Sequence, residues 1–131
     1  MHQAQAEKVK LRDEAEGLAE FWSQKVVARG NGQLFKVAKG IGSTTWHSHD
    51  DQDEIFVVLK GQLRVQLRDR DVVLDPGELF VVPLGVEHCP VADTETHFLL
   101  VGTAITSTAE GGKPDWSAGG GVPPAGTRDS A

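Results

Sequence analysis

Apolar and polar residues alternate in short bursts between residues 24 and 103, and turns rich in Gly, Pro and Asp separate the bursts every ten residues or so. Val26-Val27-Ala28 runs into Gly30-Asn31-Gly32, a strong turn signal. Over 33–39, Phe35 and Val37 fall on one face and Lys36 on the other, the period of a strand. Residues 55–59 are apolar at every position, as in a strand buried on both faces. After Lys60-Gly61, a tight turn, Leu63, Val65 and Leu67 alternate with Arg64, Gln66 and Arg68, which predicts a half-exposed strand. Asp69-Arg70-Asp71 turns into a burst over 72–74. Asp75-Pro76-Gly77-Glu78 fits a type II turn, with Pro fixing the first central residue and Gly supplying positive φ at the second. Residues 79–82 read as another buried strand, and 96–102, with Phe98, Leu99, Leu100 and Val101, close the set. Many short strands joined by such turns predict an all-β sandwich or barrel. No helical pattern alternates with them, which excludes a parallel α/β sheet.

The flanks differ. Residues 1–22 are charged, and Val9, Leu11, Ala15, Leu18 and Ala19 make a weak apolar stripe that Gly17 interrupts, so at most a short helix is expected within 11–20. Residues 109–131 hold six Gly and three Pro, a composition that cannot bury enough surface to offset chain entropy. They read as a flexible tail; the alternative is a segment that lies across a neighbouring subunit with Trp116 as its anchor. The expected division is an N-terminal arm with a short helix over 1–22, a barrel over 23–108 and the tail over 109–131.

At 131 residues, 39% apolar and 24% charged, the chain suits one soluble domain with a core of its own. Its net charge of −6 argues against a dedicated nucleic-acid binder. No stretch approaches the roughly 20 apolar residues that span a bilayer. Met-His-Gln-Ala-Gln-Ala-Glu-Lys carries no apolar signal core, so a cytoplasmic location is expected. The single Cys89 cannot form an internal disulfide, which fits a reducing compartment. Because it follows His88, a strand would point it away from whatever His88 faces, as a packed thiol rather than a ligand or nucleophile.

The candidate chemistry is His47-Ser48-His49, then Glu54, then His88. Three imidazoles and a carboxylate at this spacing suit a first-row transition ion. Residues i and i+2 of a strand share a face about 6.6 Å apart, so His47 and His49 can aim at one point while Trp46 and Ser48 face away. Residues 50–53 read as a polar turn that returns Glu54 to the same face, and His88 follows the turn-like Pro83-Leu84-Gly85 on a third strand. An octahedral ion held by four such ligands keeps one or two positions open for water, dioxygen or a chelating substrate. The same four ligands accept Fe, Mn, Zn, Ni, Co or Cu. Phe35, Val37, Phe56, Val58, Leu63, Val65, Phe80 and Val82 are expected to form a dry wall, with Phe35, Phe56 and Trp46 at its rim. No second catalytic group stands out: His97 reads as a surface residue, and Glu54 is the candidate proton acceptor if it detaches from the ion.

These residues resemble the cupin superfamily. Its first motif is Gly, five residues, His-x-His, three or four residues, Glu, six residues, Gly; His47, His49, Glu54 and Gly61 fit it, while the leading position is Ile41, flanked by Gly40 and Gly42. Its second is Gly, five residues, Pro-x-Gly, two residues, His, three residues, Asn; Gly77, Pro83, Gly85 and His88 fit, and Ala92 stands in place of the Asn, which is not a metal ligand. The stretch from about Phe21 to Thr103 looks like the small single-domain cupins described as cupin type 2 or mannose-6-phosphate-isomerase-like. The resemblance implies a jelly-roll barrel, or double-stranded β-helix, with one divalent transition metal in its mouth, and homodimers commonly built by exchange of N-terminal strands. Two function classes follow: a metalloenzyme acting on a small chelating substrate, of dioxygenase or isomerase type, or a non-catalytic small-molecule or metal-binding cupin serving as sensor or store.

Overall fold

Strand β7 (His88–Gly102) is 15 residues long and hydrogen-bonds along both edges, so it organises everything around it. The computed structural model describes residues 7–104. The tail expected over 109–131, with Trp116, lies outside the described residues, as do residues 1–6 and 105–108. The other elements are α1 (Leu11–Glu16), β1 (Lys25–Gly30), β2 (Gln33–Ser43), β3 (Glu54–Lys60), β4 (Leu63–Leu67), β5 (Asp71–Leu74) and β6 (Leu79–Val82). Along one edge of β7 runs β2. Along the other edge β4 pairs with its first residues (Val65↔Pro90, Leu67↔His88) and β3 with its last (Phe56↔Leu100, Val58↔Phe98). The sheet order is β1-β2-β7-β3-β6, with β5 outside β4, and every pairing is antiparallel. By changing partner halfway, β7 belongs to both walls of an antiparallel jelly-roll barrel, the fold class expected from the strand pattern, with one short helix ahead of it. Among the described residues, no helix is long and apolar enough to cross a membrane.

Strand parity divides the apolar residues into two sets. Ala38, Phe98 and Val58 lie on adjacent strands in one row facing inward, with Phe56, Leu63, Val65, Leu67, Leu74, Val82 and Leu100. Val37, Leu99 and Val57 form the neighbouring row facing outward, where Leu11, Ala15 and Leu18 of the N-terminal arm cover part of it. Two expectations are corrected here. Phe35 and Val37 do not line the interior: they belong to the outer set under α1. The strand at 79–82 is not buried on both faces: Leu79 and Val81 are 61% and 39% exposed, because β6 is an edge strand beyond the reach of α1. Residues 55–59 come closer to expectation, with Phe56 and Val58 buried inside and Ile55, Val57 and Leu59 half-buried outside.

Turn chemistry follows the sequence. Gly61 and Gly77 take φ of 88° and 87°, as their turns require. Gly61 is doubly constrained, because a Cβ there would lie 2.6 Å from Thr96 Oγ1 and 2.8 Å from the Glu95 carbonyl. Thr96 in turn closes the β3–β4 turn, accepting from Gln62 N–H at 3.1 Å and donating to the Gln62 carbonyl at 3.0 Å. Gly61→Ala should therefore cost about 2 kcal/mol or more, read as a lower urea midpoint with an unchanged slope. An unchanged midpoint would contradict this account of the turn.

Candidate metal centre

Three separate constraints deliver the four residues. His47 does not lie in a regular strand, as the i, i+2 argument assumed. It forms an isolated backbone pair with His88: His47 N–H donates to the His88 carbonyl at 3.0 Å and His88 N–H to the His47 carbonyl at 2.9 Å. One pair thus sets two side chains side by side, with ring centroids 4.3 Å apart. His49 is held through its carbonyl, which accepts from Gly85 N–H at 2.7 Å. Asp53 Oδ1 accepts from Leu84 N–H at 2.8 Å, so the Pro83-Leu84-Gly85 turn grips the loop on both sides of Gln52. Glu54 is the first residue of β3, opposite Val82, and faces inward. The candidate ligand atoms of His47, His49, Glu54 and His88 lie within 4.8 Å of one another. Cys89 is outside this group: buried on the other side of β7, its thiol donates to the Thr44 carbonyl at 3.3 Å.

The hydrogen bonds define which imidazole nitrogen points inward. His47 Nδ1 lies 2.8 Å from the Thr45 carbonyl and His88 Nδ1 lies 2.9 Å from the Val86 carbonyl. A carbonyl only accepts, so each Nδ1 carries its proton, and Nε2 is the atom left for a ligand. His88 Nε2 and His49 Nε2 lie 3.0 and 3.2 Å from one oxygen of Glu54. Adjacent donors around an ion bound at about 2.1 Å are separated by roughly 3 Å, so these two contacts have the spacing, and the cluster the donor set, of a candidate divalent transition-metal site.

Burial and charge act unequally on these groups. Burial, reinforced by the neighbouring His88 ring, pushes His47 down to about 4. The hydrogen bond to Glu54 holds His49 above its ordinary value despite partial burial. Burial alone would raise the Glu54 carboxyl, but its hydrogen bonds to His49 and His88 outweigh this and keep it below the usual carboxylate range. A cavity of about 20 Å³, room for about one water, adjoins the cluster; its lining includes Trp22, Ala38, His47, Glu54, Phe56 and Phe98. Phe56 thus lies where expected. Trp46 does not line the cavity; the Arg68 guanidinium lies 4.0 Å over its ring. Phe35 is on the far side of the sheet.

Four residues, three of them near the cluster, have placements that the sequence pattern hid. Lys36 faces inward and is 1% exposed, its ammonium donating to the Ala104 carbonyl at 2.7 Å. Desolvation lowers its pKa, and the Glu54 charge opposes the shift. Gln52 is buried, and its Oε1 accepts from Thr103 N–H at 2.8 Å, tying the loop between the ligands to the end of β7. Trp22 covers the cavity. The expectation for His97 is corrected: it is not on the surface but 1% exposed, facing the arm, with Nε2 2.8 Å from Glu95 and Nδ1 3.8 Å from Glu16. The motif's displaced leading glycine falls at an irregularity: the β2–β7 register shifts by two residues between Gly40 and Gly42, where one residue of β2 faces three of β7.

Residues 33–102, more than half of the chain, match the family model described as "Cupin domain", and the chain belongs to this family. A cupin-2 domain-containing protein from Shewanella frigidimarina is similar at 36% identity and a TM-score of 0.68, over 71% of this chain and 91% of that one. The uncharacterized protein YdbB of Bacillus subtilis is 32% identical over 63 residues, 47% of this chain and 56% of the relative, so the match spans little more than half of the curated relative's length. The hydroquinone 1,2-dioxygenase of a Sphingomonas species, solved with 4-hydroxybenzoate bound, is similar at a TM-score of 0.63 and 19% identity, over 83% of this chain and 82% of that one. That last likeness is one of fold.

The depressed His47 pKa makes a test in the metal-free protein. The unfolded chain protonates this residue near pH 6.5 and the folded chain only near pH 4, so the stability from its neutral burial is complete above pH 6.5 and is lost as the pH falls toward 4. With chelator present, His47→Leu should lose less stability than wild type over this interval, by up to about 3 kcal/mol. Equal pH slopes in urea titrations would contradict the assignment.

Proposed function

We propose that this chain is a metal-dependent monocupin that holds one divalent transition metal through His47, His49, Glu54 and His88 and acts on a small organic molecule that chelates the ion, in a dioxygenase- or isomerase-type reaction. The supporting observation is the approach of two imidazole Nε2 atoms to one buried carboxylate oxygen, at 3.0 and 3.2 Å, while the Nδ1 proton of His88 is committed to a backbone carbonyl. Such a contact needs positive charge in it, from a proton on the imidazole, as in the hydrogen bond that raises His49, or from a metal ion, and the convergence of all four donors within 4.8 Å supports the ion. When bound, the ion supplies Lewis-acid or redox chemistry, and Fe, Mn, Zn, Ni, Co and Cu all suit the donors. The chain's own residues orient the imidazoles through Thr45 and Val86, exclude water with Phe56, Phe98 and Leu100, and hold negative charge at Glu54. Its lowered pKa makes Glu54 a weak base where it sits, so proton acceptance by this carboxylate requires that it first detach. The small cavity beside the cluster favours the second reading, a non-catalytic sensor or store. Oxygen uptake by Fe(II)-loaded protein across a panel of small chelating compounds separates the two: turnover with any of them supports the enzyme, and none across the panel supports the binding module.

Elemental analysis after loading and desalting should find close to one transition-metal ion per chain, and Cys89→Ser should leave the content unchanged. His47→Ala or His88→Ala should abolish tight binding yet leave a folded β-protein, because the two apolar layers do not need the ion. Chelation should lower the melting temperature without erasing the cooperative transition, since binding stabilises the native state by roughly 4 kcal/mol at a thousandfold excess over the dissociation constant. A random-coil circular dichroism spectrum on chelation would make the ion structural and contradict this reading.

The same proposal includes a homodimer. The outer sheet face continues past α1 into Ile55, Leu79 and Val81 on β3 and the edge strand β6, a row that one chain leaves in water. Sedimentation at micromolar concentration should give twice the 14.1 kDa chain mass, and Leu79→Lys with Val81→Lys should give the monomer. A wild-type monomer, or a double variant that stays dimeric, would remove this face from the account.

A further inference from the structure

Trp22 holds a backbone conformation that bulky side chains avoid, with φ of 64°, three residues before β1 begins. Three contacts keep it there. Its N–H donates to the Lys39 carbonyl at 2.6 Å and its indole Nε1 donates to the Ile41 carbonyl at 3.0 Å. The indole also lies over Gly40, where an added Cβ would approach three ring atoms to 2.6–2.7 Å, so this position of the ring depends on the missing side chain. The residue is 4% exposed and forms one wall of the cavity that His47 and Glu54 also line. A series of rings links it to the candidate ligands: Trp22 to Phe98 at 6.0 Å, Phe98 to Phe56 at 6.0 Å and Phe56 to His88 at 6.4 Å. A strained non-glycine residue beside a site is where function is sought, because the surroundings must hold it against its own preference.

We propose that Trp22, seated on Gly40, is the residue that sets ligand size at the centre: it admits diatomic molecules and short acyclic anions and rejects aromatic rings. This rests on the metal-site reading above and narrows its substrate class. The cavity beneath the indole measures about 20 Å³, too small for a six-membered ring. The carbonyls of Lys39 and Ile41, which hold the residue, belong to the same stretch of β2 as Gly40, so the cover and its seat come from one strand. Removing the indole opens a space of its own shape in the cavity that Ala38, Phe98 and His47 also line, and leaves all four candidate ligand residues unsubstituted. Adding a methyl group at Gly40 displaces the ring from the opposite side.

Two arms test this, one without metal. In the metal-free full chain, Trp22→Gly removes the strain and leaves an indole-shaped hole. Added indole should raise the melting temperature of Trp22→Gly and shift its His47 side-chain resonances, and should do neither to wild type. Indole acting on both proteins alike, or on neither, would overturn the proposal. In the second arm Co(II)-loaded protein is titrated with azide and with catechol, read by the visible ligand-field bands. Wild type should respond to azide but not to catechol, whereas Trp22→Gly and Gly40→Ala should bind catechol at least about tenfold more tightly than wild type while azide affinity changes far less. Equal catechol affinity in wild type and both variants would overturn it. If Trp22→Gly does not fold, Gly40→Ala and Trp22→Leu carry the same expectation. Wild type that takes up no Co(II) would count against the metal site itself, and the indole arm would then decide the role of Trp22 alone.

Discussion

The carboxylate of Glu54, 6% exposed and shared between His49 and His88, is the constraint around which the barrel mouth is arranged. A carboxylate taken out of water without a compensating charge costs several kcal/mol. Here compensation must come from imidazoles, from an ion between them, or from Lys36, whose buried ammonium feels the same charge. Each structural feature near the mouth fixes one of these partners. The His47–His88 backbone pair aligns two rings, the Pro83-Leu84-Gly85 turn holds the loop that carries His49, and the start of β3 fixes Glu54. With Nδ1 of His47 and His88 bonded to backbone carbonyls, their rings cannot turn their other nitrogen inward without losing a hydrogen bond.

The barrel gives this cluster a dry, rigid setting because β7 pairs with three strands and bends between two walls. Its inward residues, Phe98 and Leu100, form the apolar side of the cavity, and its first residue is a candidate ligand. Just past its end the Thr103 N–H donates to Gln52 Oε1, and the Ala104 carbonyl accepts from Lys36. The strand that makes the core therefore also fixes both ends of the site. The outward residues of the same sheet form a second apolar layer that α1 covers only in part.

Much of this was legible in the sequence, for a physical reason: turns and strands obey local rules. Gly61 and Gly77 announce positive φ, alternation marks Leu63, Val65 and Leu67 as one inward face, and the four candidate ligands are recognisable by type and spacing. The failures have a common source in non-local packing. Alternation places Lys36 opposite Phe35 correctly but cannot tell that the opposite face is the interior. Leu79 and Val81 look buried because apolar character does not reveal an edge strand. His97 looks like a surface residue until the arm folds over it, and nothing local marks Trp22 as a cover, because its position is fixed by a glycine 18 residues further on. His47 and His49 reach the site by routes other than the one expected, His47 through an isolated bridge to β7 and His49 through its carbonyl to the Gly85 N–H, rather than through strand spacing.

The central claim is that three imidazoles and one carboxylate, and no thiolate, surround a single ion. X-ray absorption at the metal edge of the loaded protein reads that shell directly. The account predicts a nitrogen and oxygen first shell near 2.1 Å with the outer-shell pattern of about three imidazole rings, and with no sulfur contribution. A sulfur scatterer near 2.3 Å, or the signature of no more than one imidazole, would contradict it.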